Sequence, residues 1–142
     1  MKRTAEVIIE VPFHDVDLIG VAWHGHYLKY FELARTQLCR QCHCDLEQVR
    51  AMGLMLPIID CHCRYIAPLT YGMRVRVLAK LVETEFRLKV EYLLTEVTSG
   101  KRLARGSTIQ AVVRQSDGRL LLPVPPELIA LLKPDSGVPP AA

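Results

Sequence analysis

Phe13-His14-Asp15-Val16-Asp17-Leu18-Ile19-Gly20-Val21-Ala22-Trp23-His24-Gly25-His26-Tyr27 joins two periodicities. Before it, residues 5–13 read as a strand, which Pro12 brings to an edge or an end. After it, Tyr27, Phe31, Ala34 and Leu38 recur at helical spacing with Tyr30 beside them, predicting a helix over residues 25–44. Lys29, Glu32, Thr36 and Arg40 fall on another face, and Glu32 and Arg35 form a weak i,i+3 pair. The loop of residues 14–24 therefore carries Asp15 and Asp17 toward a helix start near Gly25. Such a start presents unpaired backbone N–H groups and about half a positive charge.

Downstream the patterning changes. Residues 45–50 either continue the helix or begin a short second one, and Gly53 and Pro57 close the region. Residues 56–66, with Ile58, Ile59 and Tyr65, and residues 74–81 read as strands separated by Pro68 and Gly72. Phe86, Leu88, Val90 and Tyr92 alternate with Arg87, Lys89 and Glu91, the period of a half-buried strand. Ser99-Gly100 is a hairpin turn into residues 103–113, and Ser116-Asp117-Gly118 is a further turn before Leu120. A short helix is expected over residues 127–132, and the Pro-, Ala- and Gly-rich residues 134–142 are expected to be disordered.

The order strand, long helix, antiparallel strands predicts an α+β domain over residues 1–133. One long helix with a single apolar face needs a sheet to wrap it, here of five or more strands. Such a sheet leaves an edge strand exposed, which side-by-side pairing of two copies would cover.

Composition narrows the function classes. A chain of 142 residues, 50% hydrophobic and 23% charged, has the profile of a globular domain. At this length about 70% of the unfolded surface is buried on folding, enough for a core without staples. No apolar run approaches the roughly 20 residues of a membrane span. Glu6 and Glu10 interrupt the start of the chain where a secretory segment would be apolar, so a cytosolic location and no membrane partner are expected. The net charge of +3 is unevenly spread: residues 64–119 hold eleven Lys or Arg against five Asp or Glu. That excess suits a phosphate-bearing ligand. The charges alternate along strands without clustered aromatics, which argues against nucleic acid.

Five cysteines offer a different reading. Cys39-x-x-Cys42 and Cys61-x-Cys63 come near a zinc-binding spacing. Zinc ligand pairs usually sit on turns, whereas these fall on a helix and a strand, and buried Cys is a common small core residue. No metal and no cofactor are expected.

The chain resembles the hot-dog-fold thioesterases, in particular the branch of 4-hydroxybenzoyl-CoA and short-chain acyl-CoA thioesterases. Residues 13–27, followed by Tyr30-Phe31-Glu32-Leu33-Ala34-Arg35, carry the likeness, which extends over about residues 5–132. The resemblance implies a hot-dog fold and hydrolysis of an acyl-CoA or acyl carrier protein thioester by a homodimer or homotetramer. It places the catalytic carboxylate at Asp17 and the carbonyl-polarising N–H at His24. Trp23, His26 and Tyr27 are read beside it as lining the acyl pocket; the basic residues that meet the CoA phosphates vary among relatives, and Arg87 and Lys89 are the candidates here. His26 stands where the family usually has Asn, so acyl-group size does not transfer from a relative.

The chemistry stands without the resemblance. A thioester expels a thiol of pKa about 8.5, so it needs little acid assistance. It does need a nucleophile and a donor for the developing oxyanion. A carboxylate serves either by direct attack or by deprotonating water. Ordinary turn chemistry also places Asp before helices and is the alternative for both Asp15 and Asp17; the resemblance favours Asp17 as catalytic, and Asp15 is read as structural. A hot-dog dehydratase and a non-catalytic acyl-CoA binding module remain as alternatives.

Overall fold

The computed structural model describes residues 3–133. Five antiparallel strands form one sheet: β1 (Thr4–Glu10), β3 (Ile58–Tyr65), β4 (Arg74–Glu83), β5 (Leu88–Glu96) and β6 (Arg102–Gln110). Their spatial order is β1-β4-β5-β6-β3, so β1 and β3 are the edges. A two-stranded ribbon pairs β2 (Leu54–Met55) with β7 (Val113–Arg114). Helix α1 (His26–Gln41) lies on the sheet, followed by α2 (Leu46–Ala51), and α3 (Pro126–Leu132) ends the described chain. The tail of residues 134–142 lies outside the described residues.

The helix seats where the sheet is thin. Ala5, Ala79, Tyr92, Gly106 and Cys63 stand opposite one another, forming one row across all five strands. Three of these are Ala or Gly, which leaves a trough for Phe31. The Phe31 ring stacks on Tyr92 with centroids 4.5 Å apart and planes 7° from parallel. A side-chain carbon at Gly106 would lie 2.3 Å from the His62 carbonyl and 2.5 Å from Phe31, so only glycine fits. Burying Phe31 contributes about 2–3 kcal/mol before ordering costs. Tyr27, Tyr30, Phe31, Ala34 and Leu38 are the buried face of α1, matching the apolar spacing.

Several boundaries move for local reasons. The first strand stops at Glu10, because Pro12 has no N–H for the ladder and Phe13–Asp15 turns as a 3-10 segment. Helix α1 ends at Gln41 instead of residue 44, since His43 adopts a left-handed conformation with φ 56°. A separate α2 then starts, its first N–H at Leu46 donating to the Asp45 side chain at 2.8 Å. Phe86 lies in the turn before β5 and not within the strand.

Candidate active site

The loop from Phe13 to Gly25 is stapled at both ends. The Asp17 N–H donates to the Val21 carbonyl at 2.9 Å, the Gly20 N–H donates to the Asp17 carbonyl at 3.0 Å, and Gly20 takes φ 90°. Val16 bridges Ala22, while Val21 bridges Thr70 and the Ala22 N–H donates to Leu69, tying the loop to the connection between β3 and β4. The result is a tight turn with Asp17 at its first corner and an apolar tip at Leu18 and Ile19.

The two carboxylates of this loop live in opposite surroundings. Asp15 is 2% exposed. Both its oxygens accept from Lys29 Nζ at 2.7 Å, and one accepts from the Tyr30 hydroxyl at 2.6 Å. His26 Nε2 stands 3.7 Å away. Burial pushes the Asp15 carboxyl up, but the hydrogen bonds from Lys29 and Tyr30 outweigh it and hold the group below the usual carboxylate value. Burial and the Asp15 charge push the Tyr30 phenol well up, so it stays a donor. Asp15 thereby clamps the loop to the first two turns of α1. Asp17 is exposed, and among the described residues its side chain accepts one hydrogen bond, from the Ile19 N–H at 2.9 Å. No Lys or Arg among the described residues pairs with it.

Asp17 lines an open groove of about 360 Å³ together with His24, Tyr27, Val21 and Tyr65. At its rim α1 begins. The N–H of His26 donates to the Trp23 carbonyl and that of Tyr27 to His24, whereas the His24 and Gly25 N–H groups donate to no acceptor among the described residues. Among the described residues the helix start thus has unpaired N–H donors, and Asp17, which meets no cation, lines the same groove as His24.

The other expected residues divide. Tyr27 lines the groove, its ring 4.7 Å from that of Tyr65 in an edge contact, and burial pushes its phenol up. Trp23 and His26 do not line it: the Trp23 ring covers Gly25 and meets His26 edge-on at 5.5 Å, while His26 faces Asp15. Arg87 and Lys89 lie elsewhere. Arg87 pairs with Glu83 at 3.1 Å, and Lys89 stands opposite Ile109, which faces Asp60. Tyr65 stands five residues along β3 from Asp60, or about 17 Å at a strand rise of about 3.4 Å per residue. Tyr65 is the residue that sequence reading left out of the site. Its hydroxyl donates to the His24 carbonyl at 2.9 Å, and burial together with Cys63 pushes the phenol up to about 12. The available signal was its period-two relation to Cys61 and Cys63, which puts it on the helix side of β3. Among the described residues no group of three or more His, Cys, Asp or Glu is arranged to hold a metal ion.

Residues 11–132 match the family model of the thioesterase-like superfamily. The chain belongs to this superfamily. A 1,4-dihydroxy-2-naphthoyl-CoA hydrolase of Thermosynechococcus vestitus is 32% identical over 126 residues, covering 87% of this chain and 84% of that protein. A hypothetical protein of Aquifex aeolicus superposes with a TM-score of 0.80 at 26% identity, covering 90% of this chain and 98% of that one. An asparagine-for-aspartate variant of 4-hydroxybenzoyl-CoA thioesterase, solved with 4-hydroxybenzoyl-CoA, superposes with a TM-score of 0.78 at 18% identity, covering 92% and 99% of the two chains. The fold of this thioesterase-like chain is the hot-dog fold of those relatives, and its class of activity is thioester hydrolysis. No helix among the described residues is long and apolar enough to cross a membrane.

Proposed function

We propose that this protein hydrolyses an acyl- or aroyl-CoA thioester in the groove between the Asp17 loop and the start of α1. The observation that supports the reading is that Asp17, which meets no cation among the described residues, and His24, whose N–H finds no acceptor among them, line one groove. With the thioester carbonyl directed at His24, its oxygen gains a donor as negative charge develops, a contribution of about 3–4 kcal/mol. Asp17 then attacks the carbonyl carbon directly, giving a mixed anhydride that water opens, or deprotonates a water that attacks in its place. The thiol leaves without a dedicated acid. Tyr65 fixes the His24 carbonyl and so the orientation of the adjoining peptide groups. The relatives that act on CoA thioesters support CoA as the carrier of the acyl group.

The groove opens beside edge strand β3, whose free ladder and exposed Ile58, Ile59 and Tyr65 suit pairing with a second copy. Leu18 and Ile19, at 107% and 84% exposure next to Asp17, also suit cover by another chain. A homodimer paired through β3 would wall the open side of the groove.

The test is Asp17→Asn assayed by thiol release from a panel of aromatic, short-chain and long-chain acyl-CoA esters. The variant is expected to lose about 10²–10⁴-fold in kcat, the usual contribution of a positioned base or nucleophile, with substrate affinity nearly retained. Near-normal turnover in the variant removes Asp17 from the mechanism. Tight binding of acyl-CoA by the wild type with no hydrolysis of any ester would make the chain a binding module.

A further inference from the structure

Three cysteines gather at the opposite end of α1. The helix closes with two hydrogen bonds of a single motif: the Cys44 N–H donates to the Cys39 carbonyl at 3.0 Å and the His43 N–H donates to Arg40 at 3.2 Å. With His43 in the left-handed conformation, this is a Schellman end. Such an end brings the side chain of the residue three before the cap against the second residue beyond it. Those positions are Cys39 and Cys44.

The two side chains accordingly face one another across the helix end and line one groove, with Cys42 behind them in the interior. Their exposure differs. Cys42 is 1% exposed in the core. Cys39 is half-buried, and with Cys44 it lines a groove of about 220 Å³ walled by Arg35, Thr36, Asp45 and Leu46. Arg35 is one helical turn before Cys39 on the same face. The neighbouring Cys44 thiol lowers the Cys39 thiol below its ordinary value; burial opposes this and the Arg35 charge adds to it. All five cysteines are free thiols, and the hydrolytic reading above uses none of them.

We infer that Cys39 and Cys44 form a dithiol that hydrogen peroxide oxidises reversibly to an intramolecular disulfide. The Cys39 thiolate attacks one peroxide oxygen, the O–O bond breaks, and the departing hydroxide takes the proton released by Cys39 to give water. The Cys44 sulfur then attacks the resulting Cys39 sulfenic acid. The S–S bond forms, the S–O bond breaks, and a second water leaves with the Cys44 proton. Two thiols lose two electrons and one peroxide is reduced to two waters. Side chains that one helix end holds against each other need only side-chain rotation to reach the roughly 2.05 Å of a disulfide.

The experiment treats the full-length protein with stoichiometric hydrogen peroxide in a Cys61→Ser background, which silences the exposed thiol on β3. Intact mass, peptide mapping and thiol titration in denaturant follow. The expected result is loss of two hydrogens, a mapped link between Cys39 and Cys44, and recovery of both thiols with dithiothreitol. Cys39→Ala should abolish the link. Cys44→Ala should leave Cys39 trapped as a sulfenic acid that a dimedone probe captures; circular dichroism confirms that both variants are folded. A link through Cys42, oxygen addition without a disulfide in the Cys44-containing protein, or no reaction at all overturns the inference.

Discussion

Replacing Asp15 by Asn tests the clamp that holds the candidate catalytic loop to α1. The carboxylate is 2% exposed and accepts from Lys29 at 2.7 Å and Tyr30 at 2.6 Å. Asn keeps the volume and one acceptor for Tyr30, but turns an N–H₂ toward the Lys29 ammonium. Breaking a fully buried pair costs about 3–5 kcal/mol. The Lys29 side chain is 45% exposed and recovers part of its hydration, which brings the expected loss to roughly 2–3 kcal/mol. At about 2–4 °C per kcal/mol for a chain somewhat longer than this, the melting temperature should fall by roughly 4–12 °C. Urea unfolding of both proteins across pH gives the sign. The folded-state pKa of Asp15 lies below its unfolded value of about 3.9, so its stabilisation is fully present above that pH. It is lost as pH falls through the lowered folded value. The gap between wild type and Asp15→Asn should therefore be widest above about pH 4 and close at lower pH. A gap below about 1 kcal/mol at neutral pH, or one that widens in acid, would refute the clamp.

Tyr65→Phe removes the donor to the His24 carbonyl while keeping the ring against Tyr27. It should cost about 1 kcal/mol of stability and lower kcat more than it raises KM, read by steady-state kinetics; unchanged kcat removes Tyr65 from positioning the His24 peptide. Ile59→Lys places a charge on the exposed edge of β3 and should shift the mass seen by light scattering from dimer toward monomer, with turnover falling in parallel. A wild-type monomer of full activity contradicts the shared groove.

Much of the fold was legible in one dimension because its causes are local. The apolar spacing of Tyr27, Phe31, Ala34 and Leu38 is a property of a 3.6-residue turn, and the same residues are buried in α1. The alternation around Leu88, Val90 and Tyr92 likewise follows from the pleat and marks the inner face of β5. Local cues misled where a cap intervened, since nothing in the apolar pattern announces that His43 turns left-handed and ends the helix.

The Asp-x-Asp motif, the helix that follows it and the hydrophobic stripe were properties of the chain alone, as was the resemblance that singled out Asp17. What separates Asp15 from Asp17 belongs to the tertiary structure. Lys29 and Tyr30 reach Asp15 only because α1 packs back across the loop, and the same packing leaves Asp17 on the open side. Long-range register was equally invisible beforehand. It carried Tyr65 to the His24 carbonyl over a sequence separation of 41 and kept Arg87 and Lys89 at the other end of the sheet. Patterning reports which face a side chain takes, whereas charge, burial and reach depend on which distant segment is folded against that face.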